Sequence, residues 1–177
     1  MRTRVLLAAL AGAAVFGAGC GVTTDTSSPV CAPVRAESLY LVTQAVPTAE
    51  LIPCITAYPG GWELGSVDVH QGHASFTLDS DRGGSGALKV TVRARCDVAG
   101  AIAVPTDKPG TTRFDQIPTV DDGFRGLRTY QFEGGCTTFQ FDIDSDRAAG
   151  LVDEASLAVG FLSRADVRAR MDEMERS

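Results

Sequence analysis

WELGSVDVHQGHASFTLDSDRGGSGALKVTVRAR, Trp62 to Arg95, is the stretch that decides the fold. Its last third carries the clearest period in the chain. Leu88, Val90, Val92 and Ala94 alternate with Lys89, Thr91, Arg93 and Arg95, which predicts a strand with one apolar and one basic face. Before it, Trp62–His70 and His73–Asp79 are two further strands. Gln71-Gly72 between them is a two-residue hairpin signal, because such turns need the positive φ that glycine supplies.

Two more strands lie downstream. Leu127–Phe132 puts Tyr130 and Phe132 on one face. Thr137–Asp144 puts Phe139, Phe141 and Ile143 on one face and Gln140, Asp142 and Asp144 on the other. Glu133-Gly134-Gly135 joins them. Residues 97–126, with Pro105, Pro109 and Pro118, read as a long connection whose Phe114, Ile117 and Val120 dock on the core. Loops of that length in a small domain are often functional, so Arg113, Asp121, Asp122 and Arg125 are candidate binding residues.

Helical periods lie at the two ends. Leu39, Val42 and Val46 suit a helix over 36–46, stopped by Pro47, although Leu39–Thr43 would also serve as a buried strand. Glu50–Ile55 is apolar but interrupted by Pro53, and reads as a packed irregular stretch. Ala148–Val159 has a broad apolar face, and Gly160 ends it. Ser163 then caps a last helix with Asp166 at the third position, a variant of the capping box. Its apolar stripe is only Val167, Met171 and Met174, and Asp166–Arg170 and Asp172–Arg176 are i,i+4 pairs. It reads as a solvated, detachable element. Together these elements predict a single α+β domain over 36–177, an antiparallel sheet of about five strands with helices on one face.

The first twenty residues, MRTRVLLAALAGAAVFGAGC, carry a different message. Arg2 and Arg4 precede an apolar run, Val5–Phe16, that is too short for a bilayer span of roughly 20 residues. This is the pattern of an export signal. Gly17-Ala18-Gly19-Cys20 resembles the lipobox of bacterial membrane lipoproteins. The resemblance covers residues 1–20 only. It implies cleavage before Cys20, a diacylglycerol on the Cys20 sulfur, and residence at the outer face of the plasma membrane. Gly17 stands where that class prefers Leu, which leaves open an ordinary signal peptide and a secreted product. Residues 20–35, rich in Thr, Ser and Pro, read as a flexible tether between lipid and domain.

Arg2 and Arg4 are the only charges in residues 1–19. The rest of the chain therefore keeps all 22 acids and two fewer than the 16 bases, a net charge near −8. No basic stripe suits nucleic acid, and an anionic membrane surface would repel such a domain. Of five cysteines, Cys20 is set aside by the lipobox, which leaves Cys31, Cys54, Cys96 and Cys136. An even set in an exported chain implies two disulfides, with three connectivities. The pairing without crossing or nesting, Cys31–Cys54 and Cys96–Cys136, is the favoured one. The spacing lacks the close pairs of zinc sites.

Candidate chemistry is sparse. Phe76-Thr-Leu-Asp-Ser-Asp-Arg82 and Phe141-Asp-Ile-Asp-Ser-Asp-Arg147 match at five of seven positions. Asp142, Asp144 and Asp146 imitate the start of a Ca²⁺ loop, but Arg147 occupies the place of its Gly, and turn chemistry explains the motif more simply. A second account pairs these acids with the basic face of the third strand, Lys89, Arg93 and Arg95 against Gln140, Asp142 and Asp144. By strict alternation Cys96 then points inward and Cys136 outward, a mismatch that a bulge at Gly134-Gly135 would absorb. His70 and His73 flank a turn in an H-x-x-H pair with no evident third ligand. Trp62 could line a pocket, or pack in the core. No nucleophile elbow, phosphate loop or dinucleotide motif is present.

The expectation is therefore a non-catalytic domain, without cofactor, held to the membrane through lipid on Cys20 and binding an envelope protein through 97–126 and the last helix. A small-ligand or Ca²⁺ carrier and a cell-wall enzyme or enzyme accessory are the alternatives.

Overall fold

The computed structural model describes residues 30–31, 37–119 and 123–176. Residues 1–19, read above as an export signal, Cys20, most of residues 20–35 read as a tether, and Asp121 and Asp122 lie outside the described residues. Nine strands and three helices are described, in the order α1 (Glu37–Ala45), β1 (Leu51–Ile55), β2 (Trp62–His70), β3 (His73–Ser80), β4 (Gly84–Arg93), β5 (Ile102–Val104), β6 (Thr112–Thr119), β7 (Phe124–Phe132), β8 (Gly135–Ile143), α2 (Ala148–Ala158), β9 (Val159–Ser163) and α3 (Arg164–Glu175). The fold is mostly β. One antiparallel sheet has seven strands in the order β2-β3-β4-β8-β7-β6-β5, and a second pairs β1 with β9. An α+β domain with about five strands is thus corrected in class and in strand count.

Each added strand has a physical cause. β1 forms in spite of Pro53. The Ile55 carbonyl accepts from Cys31 N–H on the edge away from β9. Pro53, two residues earlier, faces that same open edge, so its missing N–H costs the β1–β9 ladder nothing. β9 takes up the Val159-Gly160-Phe161-Leu162 run that follows α2. The long 97–126 connection is also corrected, for it contains β5, β6 and the start of β7. Among the described side chains of β6, Arg113 and Asp115 turn inward, 17% and 15% exposed. An alternation with charges on its inner face gives no hydrophobic period.

The sheet joins two meanders, β2-β3-β4 and β5-β6-β7-β8, at the β4–β8 seam. There Leu88 lies opposite Phe141 and Val90 opposite Phe139. The chain leaves β4, crosses to the far edge and returns. Cys96–Cys136 closes that excursion, and Cys31–Cys54 fastens the start of the described chain to β1. The parity conflict at Cys96 vanishes because β4 ends at Arg93, and three residues outside the strand set the Cys96 direction. No bulge is needed, since β7–β8 pairing runs unbroken to Phe132↔Gly135.

One face of the large sheet is buried. Phe76, Leu78, Leu88, Val90, Tyr130, Phe139, Phe141 and Ile143 pack with Ile55, Val159 and the α2 residues Leu151, Val152 and Ala155. A second cluster holds Leu39, Val42 and Val46 of the α1 region, Ile52, Ala74, Val92 and Val167. The tip of the β7–β8 hairpin docks here too. Gly134 has φ of 73°, and a Cβ on it would overlap the Thr48 carbonyl. Only glycine fits, both for conformation and for space.

The last helix is not detachable, another correction. Ser163 Oγ accepts from Asp166 N–H at 3.0 Å, closing the cap. Val167 is fully buried, Arg164 is nearly so, and Arg170 donates to the Cys31 carbonyl at 2.7 Å. Among the described residues no helix is long and apolar enough to cross a membrane.

Candidate functional site

Strand alternation that buries Val90 and Phe139 directs their neighbours to the opposite face. Cross-strand register lines those neighbours into rows. One row runs Asp68, Ser75, Thr91, Thr138, Thr129, Phe114 across β2, β3, β4, β8, β7 and β6. A second runs Ser66, Thr77, Lys89, Gln140, Leu127, Gln116. Lys89, Gln140 and Leu127 are exposed, and Thr91 and Thr138 are half-buried among their neighbours. Hydroxyls meet along the rows, with Ser66–Thr77 at 3.0 Å and Thr129–Thr138 at 3.2 Å. At a strand spacing of about 4.8 Å, seven strands make a face about 29 Å across.

The rim of this sheet is poorly suited to adding a strand. β5 has three residues, and β2 is broken by a bulge between Leu64 and Ser66. Short and bulged edges resist pairing with another chain. The broad surface is therefore the face, not the edge.

The candidate residues from the sequence scatter. Arg113 is on the covered side, only 17% exposed, bonded to Asp115 and 3.4 Å from Asp107. Arg125 is on the open face, 2.9 Å from Asp142 and 3.8 Å from Asp144. The basic strand face therefore does not neutralise those acids. Lys89 lies opposite Gln140, and Arg93 lies opposite Cys136. Trp62 is buried, and its indole N–H donates to Glu154 at 3.1 Å. Arg82 joins them at 2.7 Å from the same carboxylate. Arg82 first and Trp62 second hold the Glu154 carboxyl below its usual range.

The two Asp-Ser-Asp-Arg segments end β3 and β8, the two neighbours of β4, and Asp144 N–H donates to the carbonyl of Gly83, in the turn between β3 and β4, at 3.1 Å. Each serine accepts from the arginine N–H two residues on, Ser80 from Arg82 at 3.3 Å and Ser145 from Arg147 at 3.2 Å. The repeat is the same turn made twice. Asp146 lines a cleft of ≈ 470 Å³ with Arg82, Arg147 and Glu154, a mixed-charge lining in place of a ring of oxygens.

Behind β6 and β7 lies a polar network that sequence reasoning missed. Tyr130 OH donates to Asp107 at 2.9 Å, and Arg128 donates to Ser156 Oγ at 2.7 Å. Lys108 Nζ donates to the carbonyls of Ser156 at 3.0 Å and Val159 at 2.8 Å, at the C-terminal end of α2. A cation there complements the helix dipole. Burial lowers the Lys108 pKa, opposed by Asp107. Burial also works to raise Asp107, but the Tyr130 hydroxyl, the Asp107 backbone N–H, Lys108 and Arg113 outweigh it and hold it low. The network latches residues 105–111 over the covered face.

Tyr130 itself is pushed above its ordinary value, by burial first and by the Asp107 charge second. A raised pKa stabilises the fold fully below the free-tyrosine value of about 10, and that stability is lost as pH climbs toward the folded value. Tyr130→Phe should cost about 1 kcal/mol at pH 7, because Asp107 is 40% exposed and water can replace part of the bond. The gap between the two proteins should narrow above pH 10. Urea titrations at pH 7 and pH 11 check both, and a gap that widens at pH 11 would refute the assignment.

Comparison of the chain with models of protein families, with curated protein sequences and with solved structures finds no match.

Proposed function

We propose that this chain is a non-catalytic, lipid-anchored extracytoplasmic interaction module, and that the open face of its seven-stranded sheet meets an envelope protein. One observation carries the reading. A sheet whose covered face is closed by the domain's own core leaves Ser66, Lys89, Gln140, Leu127 and Gln116 exposed along one row of its other face, across β2 to β6. Most of those groups are neutral, so covering them buries few unpaired charges. The point of attachment supports it as well. Val30 and Cys31 lie beside β1, whose Ile52 and Ile55 pack on the covered side. A tether from a lipid on Cys20 would meet the domain on that side and leave the open face uncovered.

A photo-activated cross-linker placed singly at Thr91, Gln140 and Leu127, with Asp153 and Leu157 on α2 as controls, tests this in intact cells. The same single adduct from the three sheet positions, absent from α2 and reduced by Cys20→Ala, is the expected result. Equal adducts from both faces, or none from the sheet, would end the reading.

A further inference from the structure

The geometry points to a binding site for a borderline divalent transition ion, Zn²⁺ or Cu²⁺, formed by Asp68, His70 and His73 at the tip of the β2–β3 hairpin. His70 and His73 are the directly opposed residues that close the ladder before the Gln71-Gly72 turn. Gly72, with φ of 91°, makes that turn tight enough to hold them face to face. Their rings are 5.1 Å apart between centroids and tilted by 33°. The period of two puts Asp68 on the same face as His70, and its Oδ1 lies 2.8 Å from His70 Nε2. One ligand atom from each of the three falls within 4.8 Å of the others. The third ligand that the H-x-x-H spacing alone does not reveal is supplied two residues upstream by strand alternation.

The donor set selects the ion. Two imidazoles and one carboxylate suit Zn²⁺, Cu²⁺ or Ni²⁺, whereas Ca²⁺ and Mg²⁺ prefer oxygen alone. Metal bonds of about 2.0–2.2 Å require the Asp68–His70 contact to open slightly around the ion. The side chains can do so, since those of Asp68 and His70 are 57% and 60% exposed. Three protein ligands leave a coordination position for water or for a side chain of a second protein. Arg93 lies opposite His73 on the same face, so a cation neighbours the site. The inference does not depend on the open face meeting a protein, because the hairpin tip holds all three ligands itself.

The test uses the purified full chain, with Zn²⁺ alone as the probe in calorimetry and Co²⁺ as a spectroscopic substitute. Saturable binding of one Zn²⁺ per chain, a visible Co²⁺ ligand-field band and a rise in melting temperature with Zn²⁺ are expected. His70→Ala and His73→Ala should each abolish saturable binding and the band, Asp68→Asn should weaken both, and Asp142→Asn should leave both unchanged. The three ligands sit on an exposed tip, so far-ultraviolet circular dichroism of the variants should match that of the native chain. No saturable Zn²⁺ binding by the native chain, or binding that survives both histidine substitutions, would overturn the site.

Discussion

Arg164→Ala is expected to cost about 3–5 kcal/mol, a large share of the 5–15 kcal/mol that holds a typical domain folded. Arg164 opens α3, is 6% exposed, and carries its guanidinium into the end of α1. Its Nε donates to the Ala49 carbonyl at 2.7 Å, Nη1 to Thr43 at 3.1 Å and Nη2 to Val46 at 2.6 Å. A helix leaves its last carbonyls without partners and its C-terminus partly negative. Pro47 prevents α1 from continuing, so these carbonyls cannot be satisfied by another turn. One rigid fork answers them from another helix. Alanine would remove the donor to the Thr43 and Ala49 carbonyls, leave Val46 with only the Ala49 N–H at 3.1 Å, and open a void beside Val46. Arg164→Lys keeps the charge but has no planar fork, and should recover only part of the loss. Urea unfolding of the native chain and both variants measures this. A loss below about 1 kcal/mol for alanine would mean that water reaches those carbonyls and that the helix end does not need the arginine.

Removal of the Cys96–Cys136 bond by the double substitution Cys96→Ala, Cys136→Ala is expected to cost about 4 kcal/mol on the chain-entropy estimate. The bond spans 40 residues and encloses β5, β6 and β7. Those strands lie between β4 and β8 in the chain, so β4–β8 pairing closes a loop that contains them. In the cross-linked chain the two ends of that excursion are already together. Without the bond, β4–β8 pairing bears the full entropy of closing the loop. The effect should be seen in the refolding rate as well as in stability, because the seam is non-local. Stopped-flow refolding and equilibrium urea curves of the double variant check both. An unchanged midpoint would show that the unfolded chain already holds these segments close together.

The parts of the fold legible in the sequence were those whose signal is local. The Leu88–Arg93 alternation, the Gln71-Gly72 turn and the Phe139–Phe141–Ile143 face each lie within a few residues of one another, and each forms where it was expected. The Ser163 cap was readable for the same reason, and the two disulfides follow the favoured pairing of the three connectivities. β6 was not, because it places Arg113 and Asp115 inward, where Asp107, Arg128 and Tyr130 accept them. Its polarity looks like a loop until those partners are known. β1 was hidden by Pro53, whose defect falls on the open edge.

The sites divide in the same way. Arg113 and Arg125 carry charge in a segment rich in proline, but one is buried in a network and the other holds two aspartates. The open face was visible only as the polar half of an alternation. It became a surface when seven strands aligned their polar halves in register.

The sequence by itself determined the strand faces, the hairpin turn and the cap of the last helix, because these depend on neighbours along the chain. The tertiary structure alone decided that the stretch carrying Arg113 and Asp115 is a strand, and that an arginine in one helix completes the end of another. Those outcomes rest on pairing between distant residues, where a buried charge is costly even when paired and far costlier without its partner.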